Sequence, residues 1–230
     1  MNKLIKTIIW DVDGTLYQNI PALKPHYDQF RQEYLQKHLP NLSKKERDKQ
    51  YFDLRKKRQS STISLATLGS ETIDIVGKAL DEYIPKQKYL KKDLQLIQLF
   101  KDLQQYGVKN FVLRNGTKTN TLEILTWLGL AEINFPDCEF GPFQKVVTAF
   151  DMLKIAKPDL RTYQYFLNQL GLKAQTTLSV GDRVKVDLMP ASKLGIQTAL
   201  VWQDLIKPEE KRHVDHVFPT VYEVISLFNQ

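Results

Sequence analysis

The sequence predicts an α/β protein: a doubly wound parallel sheet with helices on both faces, interrupted once by an inserted helical segment. Three observations carry this. Short apolar, β-branched runs recur and end in glycine or a charged residue. Helix-period stretches lie between them and stop at glycine. One stretch of about 75 residues after the first run breaks this alternation and reads as helix alone.

Residues 4–10 form an apolar run that closes on Asp11. Without alternation, such a run suits a parallel strand buried on both faces. Residues 108–113 make a second strand, leading into Arg114-Asn115-Gly116, and residues 146–150 a third. Residues 177–180 make a fourth, leading into Gly181-Asp182, and residues 198–202 a fifth. Val217 and Phe218 read as a short edge strand. Helices fill the gaps. Residues 94–106 place Leu94, Leu96, Ile97, Leu99, Phe100 and Leu103 as apolar positions of a helix and stop at Gly107, a helix-ending glycine. Residues 119–128, 159–170 and 186–194 read the same way, with Pro190 bending the last or restricting its start.

The insert begins with a helix over residues 27–38 and a turn at 40–43. Ser43 is placed to cap a long charged helix, with Glu46 completing a capping box. A break at residues 60–62 precedes helix over 65–83, with an interruption at Gly69-Ser70. The expected division is 1–17 and 95–230 for the sheet core and 18–94 for the helical insert.

Composition narrows the function classes. The chain has 230 residues, 42% of them hydrophobic, enough for one sizeable core. This excludes a disordered chain, a collagen-like fibre and a membrane bundle, since no stretch approaches the roughly 20 apolar residues a membrane helix needs. The first apolar run is cut short by Asp11, so no signal peptide is expected. Cys138 alone cannot form an internal disulfide, and a reducing, cytoplasmic setting is expected. Net charge is +7, and residues 17–93 hold 16 Lys or Arg against 10 Asp or Glu. Such a local surplus concentrates anionic partners, although a solvated basic helix surface is its commoner origin.

The chemistry concentrates at two strand ends. Asp11-Val12-Asp13-Gly14-Thr15 follows the first strand, and ligands of open parallel sheets bind beyond the carboxyl ends of strands. Two carboxylates this close repel unless a cation or proton intervenes. Their oxygens suit Mg²⁺, and a carboxylate is also a competent nucleophile toward phosphorus. Gly181-Asp182 with Asp187 repeats the pattern after the fourth strand, on the same rim of the sheet. Read alone, the first motif is also a plain Asp-Gly turn, and Asp187 a helix N-cap. Lys157-Pro158 precedes a helix; a lysine there is ordinarily exposed. Tyr17, Tyr27, Phe30 and Tyr34 offer stacking surfaces but read more simply as core, and Trp127 and Trp202 as packing residues.

Asp11-Val12-Asp13-Gly14-Thr15, the strand end at Arg114-Asn115-Gly116, Lys157-Pro158-Asp159, and Gly181-Asp182-Arg183 with Asp187 resemble, in order, the four motifs of the haloacid dehalogenase superfamily. The resemblance spans residues 5–205 outside the insert and is similar to the phosphatase branch. It implies a Rossmann-like core, a helical cap of the C1 type, and a Mg²⁺-dependent phosphomonoesterase acting on a small phosphorylated metabolite such as a nucleotide, phosphoglycolate or sugar phosphate. By the same resemblance Asp11 attacks phosphorus and Asp13 serves as acid and base. Lys157 neutralises the nucleophile. Asp11, Asp13 through its carbonyl, and Asp182 hold the metal, with Asp187 in support. Thr15, Arg114, Asn115 and Gly116 face the phosphate. The family's second motif ends in Ser or Thr, so Arg114 is a departure: it binds phosphate, obstructs the site, or pairs with Asp11. The rival readings are a phosphomutase and a weak or inactive relative that binds a phosphorylated ligand or nucleic acid. A small phosphorylated substrate is expected over nucleic acid, with no membrane partner and a monomeric or homodimeric state.

Overall fold

The computed structural model describes residues 4–203 and 205–229; the start of the expected core, residues 1–3, lies outside the described residues. Strands β1 (Thr7–Trp10), β2 (Lys109–Arg114), β3 (Phe143–Thr148), β4 (Thr177–Gly181), β5 (Gln197–Val201) and β6 (His216–Phe218) form one sheet in the order β3-β2-β1-β4-β5-β6. Every neighbouring pair is parallel. The expected α/β, Rossmann-like class therefore holds.

β1 is buried along its whole length because it pairs on both sides, Trp10 opposite Val112 and Val180. Its side chains alternate between two cores. Ile8 and Trp10 face α5 (Leu94–Gln105) and α6 (Lys118–Trp127); Ile9 faces α7 (Arg161–Asn168) and α8 (Met189–Lys193). Trp10 is fully buried, edge-on to Phe100 at 5.3 Å, and its indole donates to Asn110 Oδ1 at 2.9 Å. Such an aromatic pair adds about 0.5–1.5 kcal/mol beyond its buried area.

Between β1 and α5 stand four helices: α1 (Lys24–His38), α2 (Lys44–Arg58), α3 (Ser61–Gly69) and α4 (Ile73–Tyr83). They have a core of their own around Phe30, Leu35, Tyr51, Leu65 and Val76. Ser43 and Glu46 form the expected capping box at the start of α2. The interruption near Gly69 is real, and Ser70 there adopts a left-handed conformation. Among the described residues no helix is long and apolar enough to cross a membrane.

Three sequence expectations shift. The first strand begins at Thr7 rather than residue 4, and Leu4 is exposed. The third begins earlier, at Phe143, and its start is hidden in the sequence by the half-buried polar Gln144 and Lys145 at the sheet edge; Ala149–Leu153 then forms a wide helical turn. The last predicted helix is a wide turn, Val184–Leu188, followed by short α8. Pro190 lies in the first turn of α8, where its missing N–H breaks no helix bond.

Candidate active site

The carboxyl ends of β1, β2 and β4 meet in one place, and two adjacent charge clusters lie there. The first surrounds Asp11, the residue after β1. The chain leaves β1 with Asp11 N–H bonded to Val180 O at 3.0 Å, then turns at Gly14, whose φ is +85°. A Cβ on Gly14 would stand 2.6 Å from Asp182 Oδ2, so both the backbone angle and the approach require glycine. Asp11 Oδ2 accepts from Thr15 Oγ1 at 2.9 Å, and Oδ1 accepts from Lys157 Nζ at 2.6 Å. Lys157 also pairs with Asp187 Oδ1 at 2.7 Å. Contrary to its ordinary surface reading, Lys157 is fully buried. Burial pulls its ammonium down, but Asp11 and Asp187 outweigh this and hold it above the usual lysine range.

Asp11, Asp182 and Asp187 each bring a carboxylate oxygen within 4.8 Å of the others. Burial, then Asp187 and Asp11, push the Asp182 carboxyl up to about 7. Burial also raises Asp11, against the pull of Lys157. Asp182 Oδ2 accepts from Asn19 Nδ2 at 3.3 Å, whereas Oδ1 is buried without a hydrogen-bond donor, with the half-exposed Arg183 Nε 3.7 Å away. An open carboxylate oxygen facing two further acidic side chains fits a hard divalent cation, which takes oxygen ligands and offsets their repulsion.

The second cluster surrounds Asp13. Its carboxylate turns away from the other three. Oδ2 accepts from Arg114 Nε at 2.6 Å, and Oδ1 accepts from Lys86 Nζ at 2.6 Å and from the Tyr17 hydroxyl. Burial favours the neutral acid, but Arg114 and Lys86 outweigh it and hold Asp13 well below the usual carboxylate range. Arg114 is itself buried, with Nη1 donating to Thr121 Oγ1 at 3.2 Å and Nη2 to Asp81 Oδ1 at 3.2 Å. Asp81, on α4, also accepts from Thr117 N–H and Oγ1 through its other oxygen, at 3.1 and 2.8 Å. The helical segment is thus tied to the start of α6 and to Arg114 by one carboxylate.

The residues expected to face a phosphate make these contacts within the protein. Thr15 donates to Asp11. Arg114 pairs with Asp13 and Asp81, not with Asp11. Asn115 brackets the Lys157 backbone, giving Nδ2 to its carbonyl and receiving its N–H on Oδ1, both at 2.9 Å. Gly116 leaves room for the Arg114 guanidinium, which a Cβ would meet at 2.3 Å. The sequence reading missed Lys86, Asp81 and the Tyr17 contact. It also missed Trp202, whose indole donates to Thr15 O at 2.8 Å and so fixes the loop after β1. Phe30 and Tyr34 lie in the helical core, while Tyr27 is half-exposed. A cavity of about 420 Å³ opens beside Asp182, bordered by Arg55 at the end of α2 and by Arg183 and Lys185.

The pairing of strand-end carboxylates with a buried lysine on a parallel sheet agrees with the family that residues 8–201 match, the haloacid dehalogenase-like hydrolases. The chain belongs to that family. A glyceraldehyde 3-phosphate phosphatase of Methanocaldococcus jannaschii is 26% identical over 239 residues, spanning 97% of each protein. Among solved structures, a HAD phosphatase from Thermococcus onnurineus superposes with a TM-score of 0.63 at 18% identity, covering 97% of this hydrolase and 98% of that chain. A HAD-hydrolase from Bacillus subtilis bound to magnesium gives 0.58 at 17%, covering 99% and 100%. At these identities the structural likeness is one of fold.

Proposed function

We propose that this hydrolase is a Mg²⁺-dependent phosphomonoesterase acting on a small sugar phosphate, with residues 18–94 as a cap over a core made of 1–17 and 95–230. The observation that carries the reading is the buried Asp11–Lys157–Asp187 chain with the open oxygen of Asp182 beside it. The phosphatase named for the Methanocaldococcus relative supports the reaction and the substrate class. The basic border of the cavity at Arg55, Arg183 and Lys185 suits an anionic substrate.

In this reading an Asp11 oxygen attacks phosphorus, the bond from phosphorus to the leaving oxygen breaks, and the electron pair stays on that oxygen. Asp13 is ionised while paired with Arg114 and Lys86, so it first takes up the proton of the ester monoanion and then passes it to the leaving oxygen to complete the alcohol. It then takes a proton from the water that attacks the aspartyl-phosphate, and inorganic phosphate leaves as Asp11 is restored. Lys157, charged throughout, lowers the repulsion between Asp11 and the phosphate and binds the phosphate as a point charge. Asp11, Asp182 and the Asp13 carbonyl would hold Mg²⁺, with Asp187 supporting, and the ion would supply charge neutralisation for the phosphoryl oxygens. Asp13 must release one of its two cations to reach the leaving oxygen.

The direct test is hydrolysis of 4-nitrophenyl phosphate and of triose phosphates with Mg²⁺ and with chelator. Turnover should depend on Mg²⁺; a folded protein that turns over none of these esters sinks the reading. A second expectation follows from Asp182. Its folded value of about 7 lies above the ordinary 3.8. The native state therefore binds more protons than the unfolded one between these values, and metal-free stability falls as pH rises through this range. Asp182 would hold Mg²⁺ in place of that proton. Added Mg²⁺ should therefore raise Tm more at about pH 8 than at about pH 5.5, and Asp182→Asn should flatten the difference. An equal Mg²⁺ effect at both pH values would count against Asp182 as a ligand.

A further inference from the structure

Among the described residues, two buried cations stand against Asp13 on the leaving-group side of the proposed site, Arg114 and Lys86, and only Lys86 is held by a single side-chain hydrogen bond. Arg114 is anchored through Nε, Nη1 and Nη2 on Asp13, Thr121 and Asp81. The Lys86 ammonium has three N–H bonds and, among the described residues, gives one hydrogen bond, to Asp13 Oδ1 at 2.6 Å. Lys86 is only 3% exposed, although it sits on a short turn where the chain returns from the helical segment. Backbone bonds hold that turn without help from Asp13. Lys86 N–H bonds Ile84 O at 2.8 Å, and Lys86 O accepts from Tyr89 and Leu90 N–H at 2.9 and 3.0 Å. A lysine buried at such cost, aimed at Asp13 from outside the sheet, calls for a role beyond solubility.

We propose that Lys86 is a catalytic residue contributed by the cap side. Its ammonium moves from Asp13 to the leaving oxygen of the bound ester and stabilises the charge that develops there. This rests on the phosphomonoesterase reading above. As the bond from phosphorus to the leaving oxygen breaks, the electron pair remains on oxygen, a Lys86 N–H donates a hydrogen bond to it, and the completing proton comes from Asp13. The same movement frees Asp13 Oδ1, so substrate entry and release of the acid are one exchange of partners. Arg114 stays in place and holds Asp13 from its other oxygen.

The alternative is that Lys86 only restrains Asp13, and the two roles predict opposite outcomes. An alkoxide leaving group depends on charge stabilisation, whereas 4-nitrophenolate departs with little help. Lys86→Met should lower kcat/KM about a hundredfold on glycerol 3-phosphate and less than about fivefold on 4-nitrophenyl phosphate, the loss expected for one aimed donor. Lys86→Arg, which keeps the charge, should recover most of the difference. Equal losses on both esters, or a gain on the alkyl ester, would overturn the proposal. Thermal melts run alongside; where Lys86→Met does not fold, Lys86→Gln carries the same two-substrate comparison. If the unaltered protein turns over neither these esters nor triose phosphates, the phosphomonoesterase reading falls and takes this inference with it. If it turns over both but the variants show no substrate dependence, only the inference falls.

Discussion

Asp11→Asn is expected to abolish turnover, by at least about a thousandfold in kcat, while the protein stays folded. The amide keeps the shape of the carboxylate and an acceptor for Thr15 Oγ1 or Lys157 Nζ, now 2.9 and 2.6 Å away. Lys157 retains Asp187 at 2.7 Å, so the buried ammonium is not stranded. Burial works against the charged form of Asp11, and a neutral amide escapes that cost. What the amide lacks is a nucleophilic oxygen that can form an acyl phosphate. Steady-state rates on 4-nitrophenyl phosphate beside a thermal melt separate the two effects. Residual activity within tenfold of the parent would remove Asp11 as nucleophile.

Arg114→Ser restores the residue type that the family's second motif carries, yet it is expected to destabilise the fold by about 3–5 kcal/mol, the cost of breaking a buried ion pair on one side. Arg114 is 2% exposed and serves Asp13, Thr121 and Asp81 at once. A serine reaches none of these as the guanidinium does. Asp13 keeps Lys86, and Asp81 keeps Thr117. Much of the penalty therefore falls on the orphaned Asp81 oxygen. Adding Asp81→Asn should recover about 1–3 kcal/mol, so that the double variant is more stable than the sum of the singles. Urea unfolding of the four proteins measures this. Strict additivity would mean that Arg114 and Asp81 do not act as a pair.

Much of the sheet was legible because buried parallel strands leave continuous apolar runs. Residues 177–180 and 198–202 mark β4 and β5 to within a residue or two. Val217 and Phe218 mark β6. β3 was misplaced because an edge strand admits polar side chains, and Gln144 and Lys145 broke the run. The carboxylates after β1 and β4 were legible by their place at strand ends, and the structure puts Asp11, Asp182 and Asp187 together. The partners of Asp13 were not. Lys86 lies 73 residues from it and Arg114 lies 101, and an ion pair across such a distance leaves no local pattern. Even for Arg114, which the sequence singled out, the residue type gave its charge but not which carboxylate it would meet.

The central position of β1 carries a consequence for how the chain is made. It is the first strand of the sheet, yet its partners are Lys109–Val112 and Thr177–Val180, beyond the whole helical segment. Until β2 emerges during synthesis, Thr7–Trp10 has no strand to pair with. It presents bare peptide groups and apolar side chains, the combination that seeds strand addition between chains. The segments that follow it most closely are α1 and the strongly basic α2, which mutually repel copies of themselves and keep nascent chains apart. Docking of β4 then completes the rim, so the acidic cluster comes into being with the last closure of β1 rather than with its first appearance.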